Sequence, residues 1–155
     1  MEHILRDLRN KKIHYGEYVE KVRDLFSRKQ ESITKYDDRF FSKYWQVYSW
    51  CAIIGFREEK RILGADLPNQ TSFEYQMIDN GSQFIAQSLL FMALGKIPSD
   101  ASKDLLNPRK LLTVISEYAE GGAKHILEIR QTRGSERMFD NPDDYFEELL
   151  RRIKS

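Results

Sequence analysis

One cysteine, Cys51, is present in 155 residues, so no intramolecular disulfide can form and the framework of a small secreted domain is excluded. Eight glycines and four prolines are too few for a linker-dominated or low-complexity chain. Neither sign of charge prevails: 25 Lys and Arg stand against 24 Asp and Glu, a net charge of +1. That balance argues against a basic nucleic-acid coat or an acidic tail, while leaving room for a local patch. Long apolar runs are missing too. The uncharged, largely apolar stretch Phe84 to Gly95 is about half of what a membrane crossing needs. The opening Met1-Glu2-His3-Ile4-Leu5-Arg6 lacks the apolar core and small-residue cleavage site of a signal peptide. A cytoplasmic protein with no membrane contact is expected.

What the chain does have is helical spacing. Its length suits one domain able to bury roughly 70% of its unfolded surface without staples. From Tyr15 to Phe26 the residues Tyr15, Tyr18, Val19, Val22, Leu25 and Phe26 recur three or four apart, with Glu17, Glu20, Lys21, Arg23 and Asp24 on the other face. Arg6 to Lys12 is polar and weakly patterned, a short helical or mobile arm, so residues 1–14 are expected as a polar arm and residues 15–155 as a single helical domain. Between Phe40 and Phe56 stand seven aromatics in seventeen residues: Phe40, Phe41, Tyr44, Trp45, Tyr48, Trp50 and Phe56. With Val47, Ala52, Ile53 and Ile54 they make a helix apolar nearly all round, which must be buried in the domain or covered by a partner. Asp37 or Asp38 is its expected N-cap, and Gly55 lies near its end.

Further along, Leu63 to Ser72 has the turn chemistry of a loop, and Asp79-Asn80-Gly81 signals a turn with Ser82 able to cap a new helix. Phe84, Ile85, Leu89, Leu90, Phe91, Met92 and Leu94 continue as a second buried helix, with Gly95 expected to stop it. Ser99 or Asp100 could cap a short turn. Asn107-Pro108 and Asn141-Pro142 each pair a cap with a first-turn proline. Gly121-Gly122 interrupts the apolar face that begins at Leu111, so a kink or a junction of two helices is expected there. The fold class is all-α: a single compact domain of about five or six helices with a buried aromatic-rich helix and no strand.

Chemistry is harder to find. His3, His14 and His125 have no second metal-type ligand at helical spacing, so no metal is expected. Cys51 lies between Trp50 and Ala52, where apolar burial would raise its pKa rather than activate it. Nucleophile-elbow and phosphate-loop patterns are missing. The acidic pairs Asp143-Asp144 and Glu147-Glu148 precede Arg151 and Arg152, an order that helix-dipole matching explains. No enzyme and no cofactor are therefore expected.

Charge is uneven along the chain. Residues 1–35 carry nine Lys/Arg and six Asp/Glu, residues 66–108 two against five, and residues 109–138 six against four. Arg6, Arg9, Lys11, Lys12, Arg57, Lys60, Arg61 and Arg130 are the candidate contacts for DNA phosphates. As a partner-facing surface, Tyr44, Trp45, Tyr48 and Trp50 are the candidate anchors, of the residue types that dominate interfaces.

Two segments together carry a family likeness: Tyr48-Ser49-Trp50-Cys51-Ala52-Ile53-Ile54-Gly55-Phe56-Arg57 and Glu117-Tyr118-Ala119-Glu120-Gly121-Gly122-Ala123-Lys124-His125-Ile126-Leu127. The pair resembles small accessory proteins found with DNA phosphorothioation (Dnd-type) modification and restriction systems of prokaryotes. The likeness covers roughly residues 45–130. It implies a non-enzymatic accessory or assembly role in DNA modification or phage defence. Contacts would be with a second copy or with other defence-system proteins, and the alternative is direct DNA binding through local basic patches. It brings no catalytic residue. Gly55, Gly121 and Gly122 are matching positions expected to be structural, at a close backbone approach or a sharp junction.

Overall fold

A computed structural model describes residues 2–26, 41–64, 71–98, 100 and 107–132. In chain order these form α1 (Glu2–Arg9), β1 (Lys12–Tyr15), α2 (Glu17–Phe26), α3 (Tyr44–Glu58), β2 (Thr71–Glu74), α4 (Gln76–Gly81), α5 (Gln83–Lys96) and α6 (Pro108–Thr132). The fold is mostly helical, with six helices among the described residues. None of them is long and apolar enough to cross a membrane.

Helix starts follow local chemistry. Ser82 Oγ accepts from Ile85 N–H at 3.2 Å, opening α5. Asn107 Oδ1 accepts from Arg109 N–H at 3.0 Å, with Pro108 at the first helical position of α6. For α3, Gln46 Oε1 accepts from the N–H of Lys43 at 3.1 Å. The expected caps at Asp37, Asp38, Ser99 and Asp100 do not carry these starts: the first three lie outside the described residues, and Asp100 stands alone beyond α5. The Asn141-Pro142 signature also lies outside them.

Helix α6 is the hub. It packs against α3 most extensively, and also against α2, α5, β1 and α1. Its buried face runs through Leu111, Leu112, Ile115, Ala119, Ala123 and Ile126, all fully inaccessible. Gly121 and Gly122 do not break it, because α6 continues for 25 residues through both. The absent side chains let another backbone come close instead. A Cβ on Gly55 would stand 2.7 Å from the Tyr118 carbonyl carbon and nearer still to its oxygen. One on Gly122 would stand 2.6 Å from the Gly55 nitrogen and nearer to the Cys51 oxygen. α3 and α6 therefore touch main chain to main chain, at a separation only glycine permits.

Two expectations change here. Residues 1–14 hold a short helix, α1, as one reading of the arm expected, but they also supply most of β1 and are part of the domain, with Leu8 and Ile13 fully buried in the core. An antiparallel ribbon also exists, with Lys12 opposite Glu74, Ile13 opposite Phe73, His14 opposite Ser72 and Tyr15 opposite Thr71. Its strands are four residues each and sit far apart in sequence, so local alternation is too short to announce them. Gly95 does not stop α5 either: it lies within the helix, which runs to Lys96 and is capped by Ile97 in an extended conformation.

Candidate interaction site

Helices α3 and α5 lie side by side and leave a groove of about 350 Å³ between their outer faces. Ile53, Phe56 and Arg57 line it from α3, and Phe91, Met92, Gly95 and Lys96 from α5. The inward face of α5 is Ala86, Leu89, Leu90 and Ala93, all fully buried. At 100° per residue, Phe84, Ser88, Phe91 and Gly95 point the opposite way. Two of these are large and apolar, yet Phe84 is 80% exposed and Phe91 57% exposed, with Ile53 of α3 beside the groove at 38%. α5 carries large apolar residues on both faces, while the described residues cover only one of them.

A second, polar cleft of about 270 Å³ lies between the end of α3 and α6. Glu59, Lys60, Arg61 and Ile62 line one wall, and Gly121, Lys124, His125 and Glu128 the other. Both signs of charge face it. Arg61 is committed to structure: its guanidinium donates to Glu117 Oε1 at 2.9 Å and lies 5.4 Å from the centre of the Tyr118 ring. Tyr118 stacks on Phe56 at 4.2 Å between centroids and has Lys96 on it as well, 5.7 Å away.

Beneath the cleft are two buried carboxylates, three residues apart on α6. Glu117 also accepts from Gly64 N–H at 2.7 Å, fixing the chain that leaves α3. Glu120 accepts from the N–H groups of Tyr18 at 2.7 Å and Val19 at 3.2 Å, and so caps α2 from a hundred residues away. Burial pushes the Glu120 pKa up; the backbone hydrogen bonds pull against that shift. The adjoining Cys51 is fully buried, and its thiol is pushed well above its usual value, first by burial and then by Glu120. That environment suppresses a thiolate. Among the described residues no group of three or more potential ligands could hold a metal.

Of the expected interface anchors, Tyr44 is half exposed. Trp45 and Tyr48 are buried and Trp50 is half-buried, so these three do not form an open patch. Trp45 lies over Gly81, Tyr48 shares a 2.8 Å hydrogen bond with Ser116, and Trp50 meets Phe26 edge-on. The aromatic helix is a core element, and its exposed large side chains are Tyr44 at its start and Ile53 beside the groove.

The candidate DNA contacts are dispersed. Lys60 and Arg61 meet at the polar cleft, whereas Arg57 flanks the apolar groove. Arg9 lies 4.0 Å from Asp79, and Lys12 stands opposite Glu74 in the ribbon. The basic start of the chain is thus folded onto its acidic middle. Arg6 and Lys11 are exposed, and Arg130 is half-buried, its Nε without a hydrogen-bond partner among the described residues.

Sequence reasoning missed Glu117 and Glu120, whose partners are far along the chain, and Phe84 and Phe91, which it buried. The uncharged run from Phe84 to Gly95 was the available signal. Comparison with known proteins finds no match: no family model, no curated protein and no solved structure aligns with the chain.

Proposed function

We propose that this protein is a non-enzymatic accessory or assembly protein that acts in the cytoplasm by protein–protein contact through the α3–α5 groove. The observation that carries the reading is the apolar outer face of α5, where Phe84 and Phe91 stand in water beside a groove lined by Ile53, Phe56 and Met92. Exposed apolar patches of this kind mark contact surfaces on soluble domains. The likeness to Dnd-type accessory proteins supplies the setting, a prokaryotic DNA-modification or phage-defence assembly. The committed state of Glu117 and the suppressed Cys51 thiol give no support to catalysis.

Direct DNA contact draws less support, because Arg9, Lys12 and Arg61 each have an acidic neighbour. The test is co-purification of the full chain with the proteins of its own modification system, beside a Phe91→Asp variant of unchanged helix content. Loss of the complex and of phage restriction in the variant is expected. A complex and a restriction phenotype indifferent to Phe91 would reject the groove. Steeply salt-dependent binding to plain or phosphorothioated duplex would favour the DNA reading instead.

A further inference from the structure

The groove and the projecting phenylalanine belong to the same helix, and together they specify a partner. Gly95 gives the first indication. The glycines of α3 and α6 are explained by backbone packed against them, and Gly64 by its positive φ of 76°. Gly95 has neither reason: nothing lies within 4 Å of the Cβ it lacks, and its conformation is that of an ordinary helical residue. A helical glycine costs stability relative to alanine where alanine fits the backbone, and nothing among the described residues requires glycine here. It opens a hollow at one end of the groove, bounded by Ile53, Phe56 and Met92.

Three turns away, about 16 Å along the same face, Phe84 projects with 80% of its surface exposed. Between them stand Ser88, which is small, and Phe91, which is large. Reversing the helix direction places Phe84 opposite Gly95 and Phe91 opposite Ser88, and the same pairs recur when the two helices are exchanged. Each ring meets a small residue, as ridges-into-grooves packing requires.

We infer that the occupant of the groove is a second copy of this chain, joined by antiparallel α5–α5 packing about a two-fold axis that crosses the outer face between Ser88 and Phe91, with Phe84 of each copy seated beside Gly95 of the other. The inference rests on the contact reading above and names its partner. A two-fold arrangement is closed, so it ends at the dimer. The stripe from Phe84 to Gly95 carries no charge and sets no like charges against each other. Opposed helix dipoles add a small favourable term. The area is adequate: Phe84, Phe91 and Ile53 leave roughly 350 Å² of apolar surface in water, taking about 200 Å² for a phenylalanine ring. A standard interface buries about 800 Å² per partner, a little over half of it apolar, so these three side chains supply most of the apolar share.

Sedimentation equilibrium of the full chain tests this, with Phe84→Ser and Gly95→Gln as variants. Both positions are exposed, so either variant should fold, as circular dichroism will check. The wild type is expected at twice 18.4 kDa, and each variant should weaken the dimer at least tenfold. A wild type that stays monomeric at every concentration the sedimentation experiment reaches overturns the inference. A dimer indifferent to both variants overturns it as well. A monomer whose Phe84→Ser variant loses a defence-system partner would sink the second copy while sparing the contact reading. A monomer indifferent to Phe84 and Phe91 in both assays would sink both.

Discussion

Gly122 and Gly95 both lie inside helices, yet alanine should act on them in opposite directions. At Gly122 the new methyl would collide with the Cys51 carbonyl and the Gly55 nitrogen, both main-chain atoms that cannot swing aside. α3 and α6 would have to separate, at a cost of about 3 kcal/mol. At Gly95 the methyl meets open space, so Gly95→Ala should stabilise the chain by about 0.5–1 kcal/mol. Urea unfolding at concentrations low enough to keep the chain monomeric checks both, and like signs at the two positions would refute the packing described for α3 and α6. Glu120 offers a pH signature. Its folded pKa lies above the ordinary value of 4.5, so its contribution is fully present below that value and is lost as pH rises through the folded pKa. Glu120→Gln stays neutral, so the stability of wild type relative to this variant should decline over that window and then level. Glu120→Ala orphans the N–H groups of Tyr18 and Val19 and should cost about 2–4 kcal/mol.

Helix starts were legible in the sequence wherever the capping residue is a neighbour. Ser82 and Asn107 are such cases, and each should cost about 1 kcal/mol on replacement by alanine, additively, because they serve different helices. Thermal unfolding of the two single variants and the double variant measures this. The cap of α2 was not legible, since its acceptor is Glu120 on α6. Glycine was misread for a related reason. A glycine that ends a helix and a glycine that admits another backbone look identical in one sequence, and only the packed fold separates Gly121 and Gly122 from a break. The β1–β2 ribbon escaped because Ile13 and Tyr15 point inward from only four residues, beside the basic stretch that suggested an arm. Apolarity around α3 and α5 was visible in both cases. Which of the two keeps an uncovered face depends on how many neighbours surround each, and that is a property of the assembled fold.

At the level of the whole molecule, part of the charge polarity along the chain turns back on itself among the described residues. The Arg9–Asp79 pair and the Lys12–Glu74 register set two cations of the basic start beside carboxylates of the acidic middle. What remains distinctive is apolar, and it has a thermodynamic consequence. If α5 pairs with itself, the unfolding temperature must depend on concentration, rising by about 4 °C for a hundredfold increase in a chain of this size. Scanning calorimetry across that range checks it. An invariant midpoint would count against a dimer that is populated in the folded state.

The position of α6 as hub also bears on biosynthesis. It is made after every other described element, yet it supplies the backbone surface against which α3 closes and the carboxylate that finishes α2. While the ribosome is still translating residues 59–107, the aromatic cylinder of α3 has no α6 to cover it. The nascent chain must therefore carry exposed apolar helix for several seconds, at about 5–20 residues per second. Trigger-type chaperones should engage it over that interval, and arresting translation before Pro108 should leave a chain that is captured and degraded rather than folded.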